Sequence, residues 1–293
     1  MSTTPSSPSP VTPSTAPRTV LITGTSSGIG LAAAVAAARA GWRTVATLRD
    51  TSRADALRQA AAEAGVELDI RQLDVTDEAS VTAAVDGVLA DYGRLDAVVN
   101  NAGAGHLGTL ENDTMEDIRK VMEVNFFGVL TVSKAALPHL RATGGRLITV
   151  TSVGGVVGQP FNEVYCAAKF AVEGYMESLA PVARTLGVSV SVVEPGAVAT
   201  EFVNNLGVDL GAAIDAGPYT AALHSYIDRT TKQFLDGSAQ TPAGAAEAVM
   251  EALHSDRPAF RIQTTDWARS FVGTKLTDVD GSAVQDLTTA WVA

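Results

Sequence analysis

Tyr165 and Lys169 stand four residues apart in the run "FNEVYCAAKF", residues 161–170. On a helix, positions i and i+4 share one face, one turn apart. A phenol would then stand beside an ammonium. Free tyrosine, with a pKa of about 10, is a poor acid or base at neutral pH. A neighbouring ammonium favours the phenolate and lowers that value. Ser152 ends a strand-like run upstream and can donate a hydrogen bond to a carbonyl oxygen. Taken alone, Tyr-x-x-x-Lys is common and usually marks a helix surface. Cys166, beside small Ala167 and Ala168, reads as a packed thiol rather than a reactive one.

A second cluster gives these groups a reason to meet. "TGTSSGIG" follows the apolar run "TVLIT" (19–23) and opens an alanine-rich helix. Gly24, Gly28 and Gly30 would permit a tight turn and let backbone approach a pyrophosphate. The N–H groups of Ser26, Ser27 and Ile29 would face that anion at the helix start. The spacing differs from the commoner GxGxxG and from GxxGxxG. An acidic residue at the end of strand two would favour NAD, and an arginine there would accommodate the phosphate of NADP. That strand ends Thr47-Leu48-Arg49-Asp50, so Leu48 fills the acidic position and Arg49 follows it. Asp50 is the competing acid, twenty residues after Gly30. NADP(H) is the expected cofactor, with NAD(H) the alternative. Asp74 and Val75 could hold the adenine edge, or Asp74 could cap the helix from Thr76 onward. Asn101, Ala102 and Gly103 in "NNAG" would pass close to the cofactor, or form an ordinary turn. With hydride arriving from a nicotinamide, Tyr165 could supply the proton that a carbonyl oxygen takes. Lys169 could also bind the ribose hydroxyls.

The elements that must position these residues alternate. Strand-like runs at 19–23, 43–48, 66–73, 95–101, 145–152, 188–194 and, more weakly, 259–264 are separated by helical segments. Continuous apolar strands between helices imply a doubly wound α/β domain with a parallel sheet covered on both faces. It is expected to span residues 18–293. The Ser/Thr/Pro-rich start, residues 1–17, reads as a disordered tail without a secretory signal. Residues 201–245 break the rhythm with many glycines and read as a substrate loop, with Tyr219 and His224 as pocket candidates. For His224 an ordinary partly exposed position is the better reading.

Composition excludes several classes. A net charge of −11 with no basic stripe disfavours nucleic acid and anionic membranes as partners. No run reaches the roughly 18 apolar residues of a membrane span. The single cysteine rules out an intrachain disulfide and fits a reducing compartment, so cytoplasm is the expected location. No metal site is expected.

The ordered set TGxxxGxG, NNAG, Ser and YxxxK resembles the short-chain dehydrogenase/reductase family, in its single-domain, Rossmann-fold branch. The resemblance implies Tyr165 as acid/base, Lys169 as its partner, Ser152 as substrate-orienting hydroxyl, and Asn125 in "VMEVNFFG" holding a water in a proton relay. It also implies that Pro195, Gly196 and Val198 of "EPGAVAT" contact the nicotinamide amide, with Thr200 near the pyrophosphate. "VATLRD", "PFNEVYCAAKF" and "AFRIQTT" are similar to the 17β-hydroxysteroid and retinol dehydrogenase group, where the arginine after strand two accompanies NADP(H). The implied activity is reversible reduction of a ketone or aldehyde to an alcohol. The family's helix pairing implies a homodimer or homotetramer. Two other readings are open: an isomerase or dehydratase retaining its nicotinamide, and a non-enzymatic cofactor-binding sensor.

Overall fold

The β-branched runs pair into one parallel sheet in a computed structural model that describes residues 16–200, 216–235 and 239–293. Most of the expected tail, residues 1–15, and parts of the expected substrate loop, 201–215 and 236–238, lie outside the described residues. The strands are β1 (Thr19–Thr23), β2 (Arg43–Leu48), β3 (Asp69–Gln72), β4 (Ala97–Asn100), β5 (Arg146–Val150), β6 (Ser189–Glu194) and β7 (Arg261–Gln263). The helices are α1 (Gly28–Arg39), α2 (Asp55–Ala64), α3 (Glu78–Tyr92), α4 (Met115–Met122), α5 (Gly128–Thr143), α6 (Glu163–Arg184), α7 (Thr220–Leu235), α8 (Pro242–His254), α9 (Asp266–Thr277) and α10 (Ser282–Thr289).

The sheet order is β3-β2-β1-β4-β5-β6-β7, every pair parallel. All seven expected strands form. The edge strands β3 and β7 and the interior strand β4 are shorter than the runs that predict them.

Alternate side chains feed two cores. Leu21, Val45, Val98 and Leu147 pack with α3, α5 and α6 on one face. Val20, Ile22, Ala46, Val99 and Ile148 pack with α1 and α8 on the other. The alanines of α1 matter here: Ala33, Ala34 and Ala37 are fully buried, so the helix lies close to sheet and neighbour alike. Among the described residues no helix is long and apolar enough to cross a membrane.

Strand order reverses between β1 and β4. The connections from their C-terminal ends run to opposite faces, towards α1 and α5, which forms the crevice where an open parallel sheet takes its ligands. One expectation needs correcting. The region 201–245 is not all loop, because α7 crosses it. Leu223, Tyr226 and Ile227 supply a helical stripe and are buried, a period masked by the glycines before it.

Candidate active site

The turn after β1 is braced from β4. Thr23 Oγ1 accepts hydrogen bonds from the N–H groups of Asn101 and Ala102, both at 3.0 Å. Asn101 Nδ2 donates to the carbonyls of Thr23 and Gly24, both at 2.9 Å. Asn101 therefore shapes the glycine turn through its side chain. Gly24 has φ +70, and a Cβ there would stand 2.7 Å from Ala102 Cα. Gly28 has φ +59 and faces Thr200, whose Cγ2 would lie 3.1 Å from a Cβ. Ser27 precedes α1 in extended conformation without capping it. The first turn of α1 thus keeps its N–H groups clear of a side-chain cap, and Ser26, Ile29 and Gly30 complete a surface suited to a diphosphate.

At the end of β2, Leu48 is buried and Arg49 exposed. Asp50 is already engaged: it accepts from Ser52 N at 3.0 Å and Ser52 Oγ at 2.7 Å. Those bonds hold its carboxyl below the usual range. Asp74 is engaged too, its Oδ1 taken by the N–H (3.0 Å) and hydroxyl (2.8 Å) of Thr76 in a local turn, whereas the cap of α3 is Asp77, which accepts from Ala79 N at 2.9 Å. Val75 is a core side chain packed against Gly128.

The catalytic candidates converge at the ends of β4 and β5 and on α6. Gly103 sits where a Cβ would be 2.9 Å from Asn125 Oδ1 and 3.6 Å from Lys169 Nζ. Asn125 lies in a π-helical turn, Glu123–Phe127, and is fully buried. Its Oδ1 accepts from Ala104 N at 3.2 Å, and its Nδ2 donates to Ala104 O (2.9 Å) and Val121 O (3.0 Å). Its amide is committed to protein partners. Ser152 Oγ accepts from Gly154 N at 3.0 Å and is also hydrogen-bonded to Tyr165. Lys169 is buried, donates Nζ to Val150 O at 3.1 Å, and lies 5.8 Å from the centre of the Tyr165 ring.

One expectation about charge is overturned. Burial dominates and pushes the Tyr165 hydroxyl up, with the Ser152 hydrogen bond opposing it. The same burial pushes Lys169 down to about 8, against the pull of Glu173. Loss of water strengthens the field of a charged lysine on its neighbour but also makes the lysine readier to give up its proton.

The stretch after β6 is held on both flanks. Pro195 O accepts from Val153 N at 2.9 Å. Gly196 packs against the Trp267 ring, which would lie 3.0 Å from a Cβ. Val198 bridges Gln240, and Ala199 N donates to Gln240 O at 2.9 Å.

The sequence pattern described as short chain dehydrogenase matches residues 18–210, well over half of the chain. It belongs to that family. The chain is 38% identical to bovine (Bos taurus) retinol dehydrogenase 8 over 91% of its length and 88% of that protein's. It is 38% identical to human 17-beta-hydroxysteroid dehydrogenase type 1, covering 90% of this chain and 82% of that one. Among solved structures it resembles a single-residue variant of actinorhodin polyketide ketoreductase with NADPH, at TM-score 0.74 and 28% identity, covering 84% of this chain and 95% of the other. This short-chain dehydrogenase is thus an oxidoreductase acting on alcohol and carbonyl groups.

Sequence reasoning missed several residues of the site. Thr23 opens the TGxxxGxG motif, but the role of its hydroxyl, which receives the N–H groups of Asn101 and Ala102, comes only from the β1–β4 pairing. Glu173 had a visible signal, since it continues the Tyr165–Lys169 spacing by four. Tyr219 is placed by its hydroxyl, which donates to Glu111 at 2.6 Å, and by a ring against the apolar cluster around Phe161 and Leu223. His224 lies exposed on α7, away from any assigned role. Cys166 is buried, and that burial pushes its thiol up to about 11, which suits a packed residue.

Proposed function

We propose that the protein is an NADP(H)-dependent oxidoreductase that interconverts an apolar ketone or aldehyde and its alcohol, with Tyr165 as general acid/base. The observation that carries this reading is the convergence of Ser152, Tyr165, Lys169 and Gly103 at the crevice where β1 and β4 part. The diphosphate would rest on residues 24–30 with Thr200, and the ribose hydroxyls near Lys169. The nicotinamide would lie along Pro195, Gly196 and Val198. Bound there, the cofactor supplies or accepts the hydride. Ser152 donates a hydrogen bond to the substrate oxygen. Tyr165, kept a neutral phenol by burial, holds the proton that this oxygen needs during reduction. Lys169, one turn along α6, stabilises the phenolate left behind. Asn125 ties the π-helical turn to the segment after Gly103. Asn125 as holder of a relay water belongs to this proposal, with its amide held by Ala104 and Val121.

The end of β2 supports NADP(H), since Leu48 offers no acceptor to a ribose and Arg49 is free to meet a phosphate. Leu48→Asp is expected to move the kcat/KM ratio of NADPH over NADH towards NADH by about 100-fold, a difference of roughly 3 kcal/mol. Unchanged ratios in parallel NADPH and NADH assays would contradict it. The names of the two relatives support a bulky apolar substrate. NADPH oxidation against a panel of steroid, retinoid and alicyclic carbonyls tests this directly. Turnover confined to small polar carbonyls would overturn the substrate class.

Association is the second part of the proposal. Phe127, in the π-helical turn before α5, and Phe170, Tyr175 and Val182 of α6 are exposed, apolar surface that suits a homodimer or homotetramer. Light scattering should give two or four times the 30.2 kDa of the chain. A mass of one chain at micromolar concentration would refute it.

A further inference from the structure

α6 carries a third polar side chain on the face that bears Tyr165 and Lys169. Glu173 lies one turn beyond Lys169 and is 3% exposed. Its carboxylate is held from two further elements. Thr151, directly after β5, donates Oγ1 to Oε1 at 2.5 Å. Arg261 of β7 donates Nε to Oε2 at 3.3 Å. The same guanidinium stands 3.3 Å from Oε1 of Glu194, the fully buried last residue of β6. Gln263 Nε2 donates to the other oxygen of Glu194 at 2.8 Å. On the solvent side, Glu177 takes Arg261 Nη2 at 3.0 Å.

The cluster therefore holds two buried carboxylates and one guanidinium, and Lys169 lies one turn before Glu173 on the same face of α6, its Nζ on the carbonyl of Val150. Glu173 is the charged group that acts on Lys169. A buried ammonium without a counter-charge gives up its proton. Thr151 also lies between Val150, whose carbonyl receives Lys169 Nζ, and Ser152. One carboxylate thus touches the strand end that carries both. We propose that Glu173 is a positioning residue of the reaction, which with Arg261 and Glu194 keeps Lys169 an ammonium beside Tyr165 and fixes the Val150–Ser152 strand end. This rests on the reading of Tyr165 and Lys169 given above.

The sign follows from the neighbours. Burial, with Glu194 adding to it, pushes Glu173 up to about 7, while Thr151 and Arg261 pull it down. Lys169 is charged below about 8. Removing the Glu173 charge leaves burial unopposed at Lys169, so Lys169 titrates at lower pH.

The test follows Lys169 directly, by NMR of the full-length protein labelled with carbon-13 at lysine Cε. The chain has five lysines, and Lys169→Met assigns the signal. In Glu173→Gln the Lys169 midpoint should fall by about one pH unit, a tenfold change in its proton affinity. The alkaline limb of kcat should fall with it, and KM for NADPH should change less than kcat. Thr151→Val, nearly isosteric, removes a bond that favours the Glu173 anion and should move the midpoint the same way by less. Glu177→Gln should leave it in place. An unmoved Lys169 midpoint in either Glu173→Gln or Thr151→Val overturns the proposal, as does an equal loss of kcat at every pH. If Glu173→Gln does not fold, Thr151→Val decides alone. Tyr165→Phe separates the two readings. Full turnover in that variant overturns the catalytic assignment, whereas an inactive Tyr165→Phe with an unmoved Lys169 overturns the role of Glu173 only.

Discussion

Tyr165→Phe is expected to lower kcat for carbonyl reduction by about 10³-fold, roughly 4 kcal/mol in the barrier, and to leave NADPH affinity within about twofold. The change removes one oxygen and keeps the ring, so the packing of α6 against the turn at Val153–Gly155 is preserved. The lost atom carries the proton and the hydrogen bond to Ser152. Nothing else nearby can replace it. Ser152 has no lower pKa to offer, and Lys169 is turned to Val150 O. NADPH fluorescence titration and absorbance kinetics on the same preparation check both halves. Full turnover with unchanged binding would end the assignment of Tyr165. Loss of binding along with turnover would mean that the phenol holds the cofactor rather than moving a proton.

Gly24→Ala should be the most damaging small substitution in the nucleotide turn. At φ +70 an added Cβ brings left-handed strain of about 1–2 kcal/mol. It also stands 2.7 Å from Ala102 Cα, a backbone atom that cannot rotate away. We expect a loss of about 3 kcal/mol in unfolding free energy. NADPH affinity should weaken by more than about tenfold as the turn and the Asn101–Gly103 segment separate. Gly41→Ala is the control. It shares the positive φ, +85, but has nothing within 4 Å of its Cβ, so about 1 kcal/mol and unchanged cofactor affinity are expected. Equal losses in urea denaturation of the two variants would show that conformational strain alone explains Gly24.

Much of the site is legible in the chain because its residues sit at fixed offsets from strand ends. Gly24 and Gly28 follow β1, Asn101 follows β4, and Ser152 follows β5. In a parallel sheet those ends all lie on one side. Leu48 and Arg49 are equally readable, since β2 ends at Leu48. Asp50 and Asp74 are not. Each is an aspartate near a strand end that could turn to a ligand or to its own backbone two residues on. Only the folded chain shows both captured, by Ser52 and Thr76. The helix α7 escapes a reading by period because the glycines before it hide a short apolar repeat.

The sequence by itself determined the parallel sheet, the nucleotide turn and the Tyr165–Lys169 spacing, because strand periodicity, glycine placement and helical offset are local properties of the chain. Only the tertiary structure decided the electrostatics. Whether Lys169 lowers Tyr165 depends on how much water both lose, and burial raises the phenol and depresses the ammonium. The counter-charge at Glu173 likewise depends on Thr151, Glu194 and Arg261, brought from three other segments to one buried point. Desolvation and long-range charge are summed over every neighbour in space, and no spacing along the chain encodes that sum.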